Sequence, residues 1–264
     1  MRQAGRRGQV AVRALLVLTA LALLATGLAR GERTQKGNLV VFLDGRLAPL
    51  ALPRDRLAPV AIHLAGGLQT SDGDLLPRVT RIELGLPAEG VLTTRGLPTC
   101  SQRRLRDARP AEALAACGAA LVGRGRLEAQ VRLPGQRPFT IRTRLLAFNG
   151  QARGRRVVIL HAYASNPPTV VVLPLYLRQG RGRFGLALVA NLPAALGPWP
   201  RLADFEITLH RRYSDRGRPR SYLSASCPTA PRLTAGFYSL ARAELTLVGG
   251  RRIATSIARS CRAR

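Results

Sequence analysis

The chain has 264 residues, and 42 Lys and Arg against 14 Asp and Glu give it a formal net charge of +28. Nearly all the basic residues are Arg, a bias that GC-rich codon usage produces, but codon usage does not remove Asp and Glu. The charge therefore favours polyanionic partners.

The first thirty residues have the layout of a secretory signal peptide. Four arginines come first, an uncharged run over residues 14–28 follows, and small residues stand near position 29. The run is shorter than the roughly 20 residues that cross a bilayer as a helix. We therefore expect residues 1–29 to be a signal peptide, cleaved after Gly27 or Ala29, with no transmembrane span after processing. The mature protein is expected to be secreted or associated with the cell envelope.

Two hydrophobic patterns predict an all-β fold of about twelve strands. Strict alternation of apolar and polar residues predicts half-buried antiparallel strands over residues 80–86, 127–133, 205–209 and 244–247. Continuous apolar runs predict strands covered on both faces over residues 39–43, 157–160 and 170–173. One short helix is predicted from Pro110 to Cys117, because Pro is tolerated in a first turn and Ala, Glu and Leu favour the helix.

A weak internal duplication relates the two halves of the mature chain. Each half begins with an apolar strand, at residues 39–43 and 156–160, and each closes with a pair of strands. The repeat is large enough for a β-sandwich domain. We therefore predict two tandem antiparallel β-sandwich domains, at residues 30–150 and 151–264. The alternative is one large β-sandwich of about twelve strands.

Four cysteines are expected to form structural disulfides. Three pairings are possible in principle, and Cys100 with Cys117 and Cys227 with Cys261 are the two bridges that stay within one half. No CxxC motif or histidine cluster accompanies the cysteines, and thiols oxidise outside the cell. Two local disulfides are therefore predicted rather than a metal site.

No catalytic motif stands out in the sequence. GxSxG, HExxH, Walker A and EF-hand patterns are absent. Residues 180–185 match GxGxxG, but an apolar strand follows where dinucleotide binding needs a helix, so this segment is interpreted as a hairpin connection. His63, His161 and His210 lie far apart and are interpreted as sheet-surface or core residues. We predict no catalytic residue, no bound metal and no cofactor.

The main alternative is an extracellular hydrolase with an unrecognised carboxylate site. A glycosidase needs two carboxyl groups across a cleft, and the candidates are Asp72, Glu83, Asp204 and Glu206. Glu83 and Glu206 alternate with buried strand positions and are expected on a solvated face, so no pair is favoured.

The most basic local segment, residues 211–222, is predicted to form a hairpin tip. Arginines there can bind phosphate or sulfate groups through two hydrogen bonds each, and tyrosine rings can stack on sugars or bases. The alternative is a solvated basic loop in an arginine-rich chain. The predicted ligand-binding residues are Arg211, Arg212, Tyr213, Arg216, Arg218, Arg220 and Tyr222.

Three stretches, residues 120–123, 147–150 and 211–225, resemble a family of uncharacterised exported proteins from high-GC actinobacteria. The resemblance covers most of the mature chain. It implies export and a bacterial envelope setting, and it implies no activity, ligand or catalytic residue.

These observations favour a secreted or wall-associated, non-catalytic binding or structural protein. Its expected partners are anionic envelope polymers, lipid headgroups or another exported protein, reached through a basic surface. Intracellular nucleic acid fits the charge but not the signal peptide.

Overall fold

A computed structural model describes residues 31–194 and 197–264. The predicted signal peptide, residues 1–29, lies outside the described residues. Strands make up 62% of the described residues and helical residues 7%, so the predicted all-β class is confirmed. Within the described ranges, no helix is long and apolar enough to cross a membrane.

The strands are numbered in chain order. They are β1 Glu32–Lys36, β2 Leu39–Ala48, β3 Ala51–Leu52, β4 Ala58–Pro59, β5 Ala61–Thr70, β6 Val79–Pro87, β7 Gly90–Leu92, β8 Cys100–Ser101, β9 Leu121–Val131, β10 Phe139–Ala152, β11 Arg155–Ser165, β12 Pro168–Gln179, β13 Phe184–Asn191, β14 Pro200–Leu209, β15 Arg212–Asp215, β16 Arg218–Ser221, β17 Leu223–Ala225, β18 Ala235–Leu247 and β19 Arg252–Ala263.

Two short helices follow β8. They are α1, Gln102–Leu105, and α2, Pro110–Cys117, and a 3₁₀ turn continues α2 from Gly118 to Ala120. The predicted helix is confirmed at both ends. Its first turn is capped because the Arg109 backbone N–H donates to Glu112 Oε2 at 2.7 Å. Helix α1 was not predicted, since four residues are too few to show a helical period.

One large sheet of fourteen strands organises the molecule, with β8 attached only to β10. The other thirteen strands follow the order β1-β2-β5-β14-β9-β10-β11-β12-β13-β6-β18-β19-β3. This order interleaves the two halves of the chain, because β14 lies between β5 and β9, and β6 lies between β13 and β18.

The predicted division into two domains is therefore wrong. Residues 32–264 form one compact unit, and strands from residues 30–150 and 151–264 pair directly with one another. The duplication misled because any two series of antiparallel hairpins share an alternating pattern, whereas the pairing partner of each edge strand is not encoded locally. The alternative of a single large β structure is the closer description.

The sheet curls on itself around an apolar interior. Strand β19, near one end of the order, packs against β1 and β2 at the other end. Alternate residues of the long strands point inward, and Leu43, Leu64, Leu145, Leu188 and Leu240 are among the buried residues of this core.

The two ends of the curled sheet differ. At the end that we call the disulfide end, the small sheet β4-β17-β7 packs on the core, and Cys227 is bonded to Cys261. At the opposite end, which we call the open end, two connections join strands that are not neighbours in the sheet. They are residues 71–78, between β5 and β6, and residues 192–199, between β13 and β14, of which 195 and 196 are not described.

A second, smaller core lies on the outer face of the sheet. Leu146, Phe148 and Ile159 point outward from β10 and β11 and are covered by α1, α2 and the Cys100–Cys117 disulfide. This cover explains the continuous apolar run of β11, which was predicted to be buried on both faces. Both predicted disulfides are thus present in the structure.

Candidate functional site

The interior of the curled sheet is not completely filled. An apolar cavity of about 290 Å³ lies inside it. The inner faces of β2, β5, β6, β9 to β14 and β18 contribute its walls, which are almost entirely Leu, Val, Ile, Ala and Phe side chains.

Small and half-buried residues leave this space open. Ala129, Ala162 and Ala164 point into the cavity from β9 and β11, where a larger side chain would fill it. Ile141, Leu160 and other apolar lining residues are only half-buried although they face the interior. Because protein interiors are normally packed without voids larger than a water molecule, this space is a feature of the fold that needs an explanation.

The cavity runs along the strands toward the open end. The lining extends from Leu127 in β9 to Leu133, two residues after the strand ends, which corresponds to roughly 20 Å at the usual rise per strand residue. At its outer limit, Pro167, Thr169 and Trp199 line the cavity and are exposed to solvent. These three residues mark an opening, which we call the mouth.

Arg201 is the single charged residue among the described residues that line the cavity. Its Nη1 donates to the backbone oxygens of Pro198 and Trp199, both at 3.1 Å, which places the guanidinium at the mouth. Its Nε is buried and has no hydrogen-bond partner. Burial lowers the pKa of Arg201, and the positive charges of Arg78 and Arg132 lower it further.

The hydroxyl groups of the lining are already engaged. The Thr143 hydroxyl donates to the backbone oxygen of Tyr163, and the Thr169 hydroxyl donates to that of Pro167 at 3.1 Å. Among the described lining residues, Arg201 therefore combines a positive charge with a buried donor, Nε, that has no hydrogen-bond partner.

The predicted basic hairpin exists, as β15 paired with β16. Its turn places Arg216 and Gly217 at positive φ of 51° and 76°, as a tight two-residue hairpin turn requires. The Tyr213 hydroxyl donates to the backbone oxygen of Arg95 at 2.7 Å, and Arg220 Nε lies 3.9 Å from Asp215 Oδ2. The exposed arginines of the hairpin are Arg212, Arg216 and Arg218, whereas Arg211 is half-buried.

This hairpin is separate from the cavity. Strand β14 runs from the mouth to the disulfide end before the chain reaches Arg211, so the hairpin and the mouth lie at opposite ends of the sheet.

Tyr222 is fully buried in the main core, and its prediction as a ligand contact is therefore wrong. Tyr222 lies between the end of β16 and the start of β17, and its neighbours Ser221 and Leu223 are buried as well.

The carboxylate candidates lie on the outer face or in a turn. Arg126 pairs with Glu206 at 2.5 Å, and Arg81 pairs with Glu83 at 3.0 Å. Burial raises the pKa of Asp204, and neighbouring Glu128 raises it further. A hydrogen bond from the Asn38 side chain lowers the pKa of Asp72. Among the described residues, no Asp or Glu lines the cavity, so these acids do not face the concave space of the molecule.

His161 is a buried core histidine, and its protonation affects the stability of the fold. It is fully buried under the connection between α1 and α2, and its Nε2 donates to the Ala108 backbone oxygen at 2.8 Å. Burial lowers the pKa of His161, so the unfolded chain binds the proton more readily than the folded one.

We therefore expect the protein to lose stability as the pH falls below about 6.5, the usual pKa of an exposed histidine. The melting temperature should drop between pH 7 and pH 5 more steeply for the wild type than for His161→Gln, which retains an amide donor but does not titrate. Thermal unfolding followed by circular dichroism measures both profiles. Parallel profiles would show that His161 does not contribute to the loss.

Comparison with family models, with curated proteins and with solved structures gives no match. The assignment of a function therefore depends on the geometry described above.

The cavity and its mouth were missed at the level of sequence. Residues that line the cavity have the same alternating apolar pattern as residues that fill a core, so periodicity does not distinguish them. Arg78, Arg132 and Arg201 are separated by 54 and 69 residues, and none stands in a basic cluster. The one available signal was the small size of the inward residues of β9 and β11, which includes Ala129, Ala162 and Ala164.

Proposed function

We propose that this protein is an exported, non-catalytic binding protein that holds the apolar chain of an envelope lipid inside the curled sheet. The observation that supports the proposal is the apolar cavity of about 290 Å³ with a mouth at the open end. Ligand sites are typically concave, mostly apolar and equipped with a few polar groups, and this cavity has those properties.

The volume of the cavity suits a single alkyl chain. An apolar protein cavity of about 150 Å³ holds benzene, so about twice that volume holds on the order of a dozen carbon atoms. Each buried methylene contributes about 0.8 kcal/mol, which gives a gross gain of roughly 10 kcal/mol for such a chain. Part of this gain is lost to ordering the chain and the protein, and micromolar or tighter binding is expected from the remainder.

The disulfides support the location that the proposal requires. Two disulfides indicate an oxidising compartment outside the cytoplasm. In the envelope, an apolar chain needs protection from water whenever it leaves a membrane. The basic hairpin, at the opposite end of the sheet, stays a predicted contact to anionic envelope polymers or lipid headgroups.

The proposal is tested with 1-decanol, a neutral chain of suitable size. Trp199 is the only tryptophan of the chain and stands at the mouth, so its fluorescence reports binding directly. The test variant is Ala164→Phe with Val171→Phe, which fills the cavity from β11 and β12. We expect its affinity for decanol to fall at least about ten-fold, equivalent to about 1.4 kcal/mol.

The matched control is Ser165→Phe with Val170→Phe, which adds the same rings to the outer face of the same two strands. Adjacent strand residues point to opposite faces, so this control leaves the cavity unchanged. We expect its affinity to stay within about two-fold of the wild type. Failure of the wild type to bind decanol, or equal binding by the filled variant, would contradict the proposal.

A further inference from the structure

Three arginines from distant parts of the chain stand on segments that the fold brings together at the open end, and one of them, Arg201, lines the cavity. Arg78 precedes β6, Arg132 follows β9, and Arg201 lies in β14. The positive charges of Arg78 and Arg132 both lower the pKa of Arg201, after the larger effect of its burial.

Backbone and side-chain hydrogen bonds hold the three segments together. The backbone N–H of Leu76 donates to Gln130 Oε1 at 3.0 Å, which fixes the connection before Arg78 against β9. Gln130 pairs with Arg201 across the β9–β14 ladder. The backbone N–H of Arg132 donates to the Trp199 oxygen at 3.3 Å. The arginines are thus carried by a connected framework rather than by free loops.

No anion within the described protein balances this charge. Elsewhere on the sheet, arginines pair with acids, as in the contacts of Arg126 with Glu206 and of Arg142 with Glu128. No described carboxylate forms an ion pair with Arg78, Arg132 or Arg201. Half-buried Arg201 also has a buried Nε donor without a partner, and such donors are normally satisfied in folded proteins.

We propose that the mouth binds the anionic headgroup, carboxylate or phosphate, of the amphiphile whose chain occupies the cavity. This inference rests on the proposed function, because the chain positions the headgroup. A guanidinium group presents paired N–H donors that match the oxygens of either anion. The ligand class is therefore a single-chain acid or phosphate, bound with its tail inside the sheet and its charge at Trp199 and Arg201.

The experiment compares three ligands of equal chain length: 1-decanol, decanoate and decyl phosphate. The test variant is Arg78→Gln with Arg132→Gln, which removes two charges and leaves the hydrogen bonds of Arg201 to residues 198 and 199 intact. Arg201→Gln is the second variant. The control is Arg46→Gln with Arg124→Gln, two exposed positions on β2 and β9 that do not line the cavity.

We expect the wild type to bind at least one of the two anions about ten-fold more tightly than decanol, with the preference falling as salt rises. Both mouth variants should lose most of this preference, and the Arg78→Gln, Arg132→Gln variant, which changes no residue of the cavity lining, should keep its affinity for decanol. The control should keep the preference. The anion that binds more tightly, decanoate or decyl phosphate, identifies the headgroup as a carboxylate or a phosphate.

Three results would overturn the inference, and they differ in what they say about the proposed function. Equal binding of all three ligands by the wild type would refute the headgroup site and leave the proposed function intact. If the mouth variants and the control lost the preference for anions equally, the anions would be bound by the general positive charge of the protein and not by a headgroup site. Absence of binding for all three ligands would refute the proposed function and the headgroup site together.

Discussion

Replacing Cys227 and Cys261 together by alanine is expected to lower the free energy of unfolding by about 4 kcal/mol. The two cysteines are 34 residues apart, and their disulfide restricts a correspondingly long loop in the unfolded chain. Both are buried in the main core at the disulfide end, at 0% and 2% exposure, so no solvent contact replaces the lost bond. Urea unfolding followed by circular dichroism measures the change.

The Cys100→Ala, Cys117→Ala variant is the matched comparison. Its loop spans 17 residues, and the same entropy model gives a loss of about 3 kcal/mol. Its effect should be concentrated in the outer cover, where hydrogen exchange of α2 and β10 reports local opening. An equal or smaller loss from the Cys227–Cys261 pair would contradict the assigned role of that bridge at the disulfide end.

Replacing Tyr222 by alanine is expected to cost about 3 to 5 kcal/mol of stability, the usual range for deleting a fully buried aromatic ring. Tyr222 is 0% exposed and is among the largest fully buried side chains of the described residues. Its backbone N–H donates to the Arg211 oxygen at 2.8 Å, so the residue also anchors the start of the hairpin segment. Chemical unfolding of the purified variant measures the loss.

Tyr222→Phe separates the ring from its hydroxyl. The hydroxyl is buried without a hydrogen-bond partner, and burial raises the pKa of Tyr222. Removing a buried unsatisfied group removes its desolvation cost, so this variant should be at least as stable as the wild type. It should also bind heparin or anionic vesicles unchanged, since the ring is not at the surface. A loss of stability as large as that of Tyr222→Ala would refute this account.

Much of the secondary structure was predictable because it depends on local chemistry. The alternation over residues 127–133 corresponds to β9 and its continuation, and α2 has the predicted bounds. The disulfides were predictable from spacing and the expected oxidising compartment. The order of the strands was not, because β14 pairs with β5 and β9 across sequence separations of 69 residues or more. Nothing in a strand of ten residues specifies such a partner.

The candidate site was not predictable for a related reason. A run of arginines such as residues 211–220 attracts attention in a sequence, whereas Arg78, Arg132 and Arg201 are isolated among 42 basic residues. What distinguishes Arg201 is that its side chain lines the cavity and forms no ion pair with a described carboxylate, and both are properties of the folded chain. In the same way, Ile141 and Leu160 have ordinary core-like patterns, and only their incomplete burial shows that they line a cavity.

The interleaved strand order also determines when the protein can fold. A chain that emerges N-terminus first makes β5 and β9 long before β14, which must separate them in the finished sheet. Until residue 209 has emerged, both strands have free edges, and exposed strand edges promote aggregation. One edge of β6 stays free for longer still, until β18 has emerged and pairs with it. We therefore expect this protein to reach its native state only after nearly its whole length has been released, and to need protection from premature pairing on the way.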